Sequence, residues 1–67
     1  MDAMNYLKHL MWRKNISYAD LGHCLGVYPS TISNKLNGKY PFTLGEVRAI
    51  ARYLHLGTDE IYKAFFI

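Results

Sequence analysis

The fold is decided by residues 17–38, which run SYADLGHCLGVYPSTISNKLNG. Ser17 followed three residues later by Asp20 is typical of a helix start, because the hydroxyl accepts a backbone N–H bond and the acid lies in the electropositive first turn. Gly26 predicts the end of that helix, since glycine adopts the left-handed conformation without steric cost. Pro29 suits the first position of another helix, where its missing N–H would be unpaired anyway. We therefore expect two short helices separated by a tight turn.

These two helices are predicted at about 18–25 and from 29 to 36 or 37. Gly22 lies inside the first of them, where glycine costs about 1 kcal/mol relative to alanine. A close crossing between the helices would justify that cost, because it requires a very small side chain. The later helix has only Ile32 and Leu36 as apolar positions, four residues apart, and its remaining side chains are polar. This pattern indicates a helix whose outer surface serves a purpose other than building the core.

Three further helices are expected around this pair. The first covers about 3–14, and another covers about 44–55 behind a Thr43–Glu46 capping box. The last opens at Thr58, which we expect to be its N-cap, and continues towards the end of the chain. No segment alternates with period two, so the predicted fold class is all-α, a compact bundle of five short helices. Asp2 is the expected N-cap of the first helix. The positions expected to face the core in these three helices are Met4, Leu7, Leu10, Met11, Leu44, Val47, Ile50, Ala51, Leu54, Ile61, Ala64 and Phe65.

Length and composition limit the possible functions. A chain of 67 residues predicts one domain that buries about 60% of its unfolded surface, which is too little for a deep catalytic pocket. The single cysteine, Cys24, excludes an internal disulfide framework and is expected to be a small core residue. The first residues lack a basic, apolar export signal, and no run reaches the length of a membrane span. We expect a cytoplasmic protein, because it has a lone cysteine and no export signal.

The net charge of +3 is unevenly distributed. Residues 1–39 contain five lysines and arginines against two aspartates, whereas residues 40–67 contain three basic and three acidic side chains. An excess of positive charge in the front half suits an anionic partner, although a mildly basic solvated surface would look the same.

Catalytic and metal chemistry are not expected. His23 and Cys24 are adjacent and point to different sides of a helix, and neither His9 nor His55 adds a second pair at ligand spacing. No nucleophile has a base at a recognisable spacing, and no glycine-rich phosphate loop follows a strand. We predict a non-enzymatic protein without a cofactor.

Residues 18–38 resemble the helix-turn-helix of the phage repressor and Cro proteins, the Xre-like regulators. Residues 31–39, with the Pro-Phe-Thr-Leu segment at 41–44 and Glu46, are similar to a small phage-regulator branch of that family. The Asp-Glu-Ile start and paired phenylalanines of residues 59–66 also match that branch, so the resemblance covers nearly the whole chain. Two positions depart from the family pattern. Gly22 stands where alanine is commoner, and Lys35 stands where an apolar residue is usual.

The resemblance implies sequence-specific binding to double-stranded DNA, with the later helix of the pair in the major groove. Its amide and hydroxyl side chains would then pair with base edges, as asparagine does with adenine. The residues expected at the bases are Tyr28, Pro29, Ser30, Thr31, Ser33 and Asn34. Those expected at the DNA backbone are Ser17, Tyr18, Lys35, Asn37 and Lys39, with Arg13 and Lys14 adding a weaker long-range attraction.

The end of the chain is rich in apolar side chains, and one domain cannot easily cover all of them. We expect a homodimer interface formed by Leu56, Ile61, Phe65, Phe66 and Ile67, with the two copies binding half-sites about 34 Å apart. The alternative is a monomer whose last helix folds back on the first.

A different class of function also stays open, namely a helical module that captures another protein, as an antirepressor does. If the chain binds DNA, the resemblance implies a transcriptional repressor, similar to Cro or the phage repressors, that binds a palindromic operator in a bacterial or phage-infected cell.

Overall fold

The structure, a computed structural model, describes residues 3–66 and contains five α-helices joined by short connections. Their bounds are α1 Ala3–Arg13, α2 Tyr18–Leu25, α3 Pro29–Leu36, α4 Leu44–Tyr53 and α5 Thr58–Phe65. No strand occurs within the described residues, and the predicted all-α fold with five helices is confirmed. In those same residues no helix has the length and apolar character that crossing a membrane requires.

The core lies where α1, α2, α3 and α4 meet, with α5 closing it against α1. Among the described residues ten apolar side chains are buried; all five helices contribute, and Leu54 directly follows α4. Because a fully buried Leu, Ile or Met side chain contributes about 1.5–3 kcal/mol, this cluster is the main source of stability. Its members are Leu7, Leu10, Met11, Leu21, Ile32, Leu36, Val47, Ile50, Leu54 and Ala64.

Local signals predict most helix ends correctly. Two capping boxes form as expected, one between Ser17 and Asp20 and the other between Thr43 and Glu46. Gly26 ends α2 in the left-handed region with φ 72°. The expected cap of α1, Asp2, lies outside the described residues.

Three expectations are wrong in detail. Leu44 was expected in the core but is 64% exposed, because it lines an open groove whose other side includes Phe66, which follows α5 and is itself exposed. The N-cap of α5 is Gly57 instead of Thr58, since the Glu60 carboxylate accepts a bond from the Gly57 N–H at 3.0 Å and starts the helix there. Cys24 is only half-buried, so it lies at the margin of the core.

Candidate nucleic-acid interface

The N-terminus of α2 is fixed by reciprocal hydrogen bonds. The Asp20 N–H donates to Ser17 Oγ at 3.0 Å, and the Ser17 N–H donates to Asp20 Oδ2 at 2.9 Å. The bond from the Ser17 backbone is the largest cause that holds the pKa of Asp20 below its ordinary value, followed by the bond from the Ser17 side chain. The carboxylate therefore stays ionised near the predicted phosphate position of Ser17 and Tyr18, where it opposes an incoming anion.

The turn between α2 and α3 packs closely against α2 because Gly22 has no side chain. A β-carbon built on Gly22 would lie 2.7 Å from the carbonyl oxygen of Val27, a distance that real β-carbons do not show. The Val27 N–H in turn donates to the Gly22 carbonyl at 2.9 Å. The predicted close approach is therefore confirmed, and its partner is the backbone of the turn that leads into α3.

Helix α3 separates its apolar and polar residues cleanly. Ile32 and Leu36 are 0% and 1% exposed and anchor the helix in the core. The side chains predicted to contact bases lie on the remaining surface: three are exposed and three are half-buried. The exposed ones are Tyr28, Pro29 and Ser30, and the half-buried ones are Thr31, Ser33 and Asn34. Four of them, Ser30, Thr31, Ser33 and Asn34, carry hydroxyl or amide groups on a helix that the core holds through Ile32 and Leu36.

The C-terminal end of α3 is contacted by a residue that sequence analysis did not select. Lys8 of α1 donates from Nζ to Asn37 Oδ1 at 3.1 Å, and Asn37 Nδ2 lies 3.4 Å from Ser33 Oγ. An ammonium group only donates, so this contact fixes which end of the Asn37 amide faces α1. The contact joins residues 29 positions apart, and no local pattern could have predicted it.

Lys35 is not placed as the sequence suggested. Its Nζ lies 3.0 Å from Glu46 Oε1, with the two side chains 12% and 20% exposed, and it also donates to the Pro41 carbonyl at 3.1 Å. Burial raises the pKa of Glu46, but bonds from the Thr43 N–H and the Lys35 ammonium outweigh that effect and leave the pKa below its ordinary value. Lys35 therefore faces α4 and the preceding loop, and its ammonium is already occupied there instead of being free for the predicted contact to the DNA backbone.

The other predicted backbone contacts lie at the two ends of the helix pair. Ser17 and Tyr18 are exposed at the start of α2, and Asn37 and Lys39 are exposed just after α3. Next to Lys39, the ring of Tyr40 is 58% exposed. Arg13, the last residue of α1, and Lys14, which follows it, are both exposed. Among the described residues, no group of three His, Cys, Asp or Glu side chains could hold a metal ion.

The residues predicted for a dimer interface are divided. Leu56 and Phe65 pack against the core, and the Phe65 ring meets the Phe42 ring edge-on at 5.8 Å. Ile61 is half-buried, Phe66 is 60% exposed, and Ile67 lies outside the described residues. The last helix thus packs on α1, as the monomer alternative expected, and still leaves Phe66 uncovered.

The chain matches the family described as the Cro/C1-type HTH DNA-binding domain, over residues 6–65. Comparison with curated proteins and with solved structures gives no match. The family match covers all of α2, α3 and α4, and it includes the capping box, the Gly22 contact and the polar surface described above. The chain therefore belongs to the Cro/C1-type HTH DNA-binding domain family.

Proposed function

We propose that this protein is a sequence-specific transcriptional regulator that binds double-stranded DNA by placing α3 in the major groove. The observation that carries the proposal is the division of α3 into a buried seam, Ile32 and Leu36, and hydroxyl and amide side chains that lie outside that seam. A helix held rigidly from behind by the core presents its outer side chains at low conformational cost, which is what contacts to base edges require.

Different parts of this surface have different tasks. Asn34 is the strongest candidate for a base contact, because an amide donates and accepts at once and matches the adenine N6 and N7 edge. Ser30 and Thr31 lie nearer the start of α3, the end that enters the groove first in this family. Lys39 and Asn37 follow the helix and suit phosphate oxygens, which position the protein without selecting a sequence.

A selection from random duplexes followed by sequencing tests this proposal. We expect a palindromic motif to be enriched, with an affinity that falls steeply as the salt concentration rises. Binding that favours no sequence would contradict base-specific recognition. Failure to retain any duplex at low salt would contradict DNA binding altogether.

We also propose that two copies bind one operator and repress transcription there by excluding the polymerase. The exposed ring of Phe66 and the neighbouring side chains of Leu44 and Ile61 form an apolar groove that a second copy can cover.

Light scattering across concentration, with and without operator DNA, measures whether the protein is a monomer or a dimer. We expect Phe66→Ser to weaken dimer formation and Tyr62→Ser, a change at a ring 58% exposed on the same helix, to leave it unchanged. A wild-type protein that stays a 7.8 kDa monomer on operator DNA would contradict the dimer.

A second candidate is a module that captures another protein, for example an antirepressor. It is favoured by the same groove, because Arg48 and Arg52 border its apolar floor and could meet acidic side chains of a partner. The duplex selection separates the two functions, since a protein-binding module predicts that no DNA motif is enriched.

A further inference from the structure

Lys35 is the one residue of α3 that reaches away from the proposed DNA surface through a charged group. Its ammonium is held at three points: Glu46 Oε1 at 3.0 Å, the Pro41 carbonyl at 3.1 Å, and the Phe42 ring, whose centroid is 5.7 Å away. The Lys35 side chain is only 12% exposed. The contacts therefore define a single position for the ammonium.

The same contacts hold the loop between α3 and α4 at its far end. Glu46 Oε1 accepts from Lys35 and also from the Thr43 N–H at 2.8 Å, so the ion pair and the cap of α4 share one oxygen atom. At the near end, the Lys39 N–H donates to the Asn34 carbonyl at 2.9 Å. The segment from Lys39 to Pro41 is thus attached to α3 at both ends.

Stability alone does not explain an ammonium group at this position. A partly buried charge loses hydration, and apolar side chains of similar volume often stabilise a protein as well as a buried ion pair does. A methionine could pack on Phe42 without that loss. It could not hold the Pro41 carbonyl and the Glu46 carboxylate together, so the specific contribution of Lys35 is to the geometry of the loop.

We propose that Lys35 is a positioning residue for DNA binding, which fixes the loop so that Lys39 is presented to a phosphate of the DNA backbone. This inference rests on the proposed function. Holding the loop in place before binding removes an ordering cost that would otherwise reduce affinity. Lys35 itself then contributes no direct contact to DNA.

The salt dependence of binding to a duplex of about 20 bp tests this role, since each phosphate contact makes the slope of log K against log salt more negative by about 0.9. We expect Lys35→Met to make that slope less negative by about 0.9 and to weaken binding about tenfold at low salt, the effect of one lost charge-assisted contact. Lys39→Ala should give the same loss, and the double variant should lose no more than either single variant.

Two results would overturn the inference while leaving the proposed function intact. Additive losses in the double variant would mean that Lys35 contacts its own phosphate. A lower melting temperature with an unchanged salt slope would mean that Lys35 acts only on stability.

Glu46→Gln provides a second variant in case Lys35→Met does not fold, because it keeps the ammonium and removes the charge of its anchor, while the amide oxygen can still accept from the Thr43 N–H. We expect it to make the salt slope less negative as well, whereas a direct Lys35–phosphate contact predicts stronger binding once the ammonium is released. Wild-type protein that binds no duplex would instead overturn the proposed function, and this inference with it.

Discussion

Replacing Gly22 by alanine tests the close contact between α2 and the turn that follows it. The new β-carbon would lie 2.7 Å from the Val27 carbonyl oxygen and 3.4 Å from two further backbone atoms, Tyr28 C and Pro29 N. Ordinary contacts between carbon and oxygen begin at about 3.3 Å, so the turn would have to move by about 0.6 Å. All three neighbours are backbone atoms, and none can rotate out of the way as a side-chain end would.

Two opposing terms set the magnitude. Overpacking costs about 1–3 kcal/mol, whereas alanine recovers about 1 kcal/mol of helix propensity. The free energy of unfolding should therefore fall by about 1 kcal/mol, within a range of about 0–2 kcal/mol. For a domain of this size, that loss lowers the melting temperature by about 4–8 °C.

Thermal unfolding followed by circular dichroism measures this change, and Gly45→Ala is the matched control. Gly45 lies in the first turn of α4, where a β-carbon would meet only Thr43 Oγ1, at 4.0 Å. That variant should gain up to about 1 kcal/mol from propensity alone. If Gly22→Ala melts as high as Gly45→Ala, the turn does not approach α2 as closely as described, and the reasoning fails.

Three more predictions concern the interface and its support. Asn34→Ala should reduce the preference for the selected duplex over a random one by about 1–3 kcal/mol, whereas Lys39→Ala should weaken binding to the two duplexes alike. A binding titration in which Asn34→Ala loses equal affinity for the two duplexes would exclude a base contact. Ser17→Ala should lower the free energy of unfolding by about 1 kcal/mol through loss of the α2 cap, and an unchanged urea midpoint would contradict that role. Because the folded-state pKa of Glu46 lies below its ordinary value of 4.5, the ionised carboxylate stabilises the fold above about pH 4.5, and this contribution is lost as the pH falls through the lower folded value. Glu46→Gln should therefore melt below the wild type at pH 7, with the difference shrinking in acid; a pH-independent gap would refute the assignment.

Local chemistry made the helix ends predictable from the sequence. The Ser17–Asp20 and Thr43–Glu46 boxes each act within four residues, and Gly26 stops a helix by its own backbone conformation. The polar surface of α3 was equally visible, since only Ile32 and Leu36 interrupt it. These features depend on neighbours in the chain and need no knowledge of the tertiary fold.

Contacts between distant residues could not be predicted in this way. Lys35 pairs with Glu46, 11 positions away, and Lys8 with Asn37, 29 positions away. The sequence therefore showed Lys35 only as a basic residue available for a phosphate and assigned no contact to Lys8. The prediction that Leu44 is buried was wrong for the same reason. Its spacing from Val47 suits a buried position, but whether another helix covers the first turn of α4 is decided by where the end of α5 lies.

The seam of α3 keeps its stabilising residues apart from its outward ones. Ile32, Leu36 and Lys35 hold the helix and its loop, while Ser30, Thr31 and Asn34 do not belong to the buried core. Mutations at the outward positions can accumulate with little change in folding free energy, since surface substitutions usually stay within about 0.5 kcal/mol. Under the function proposed above, a lineage carrying this scaffold is free to change from one operator to another, and its targets can diverge much faster than its fold.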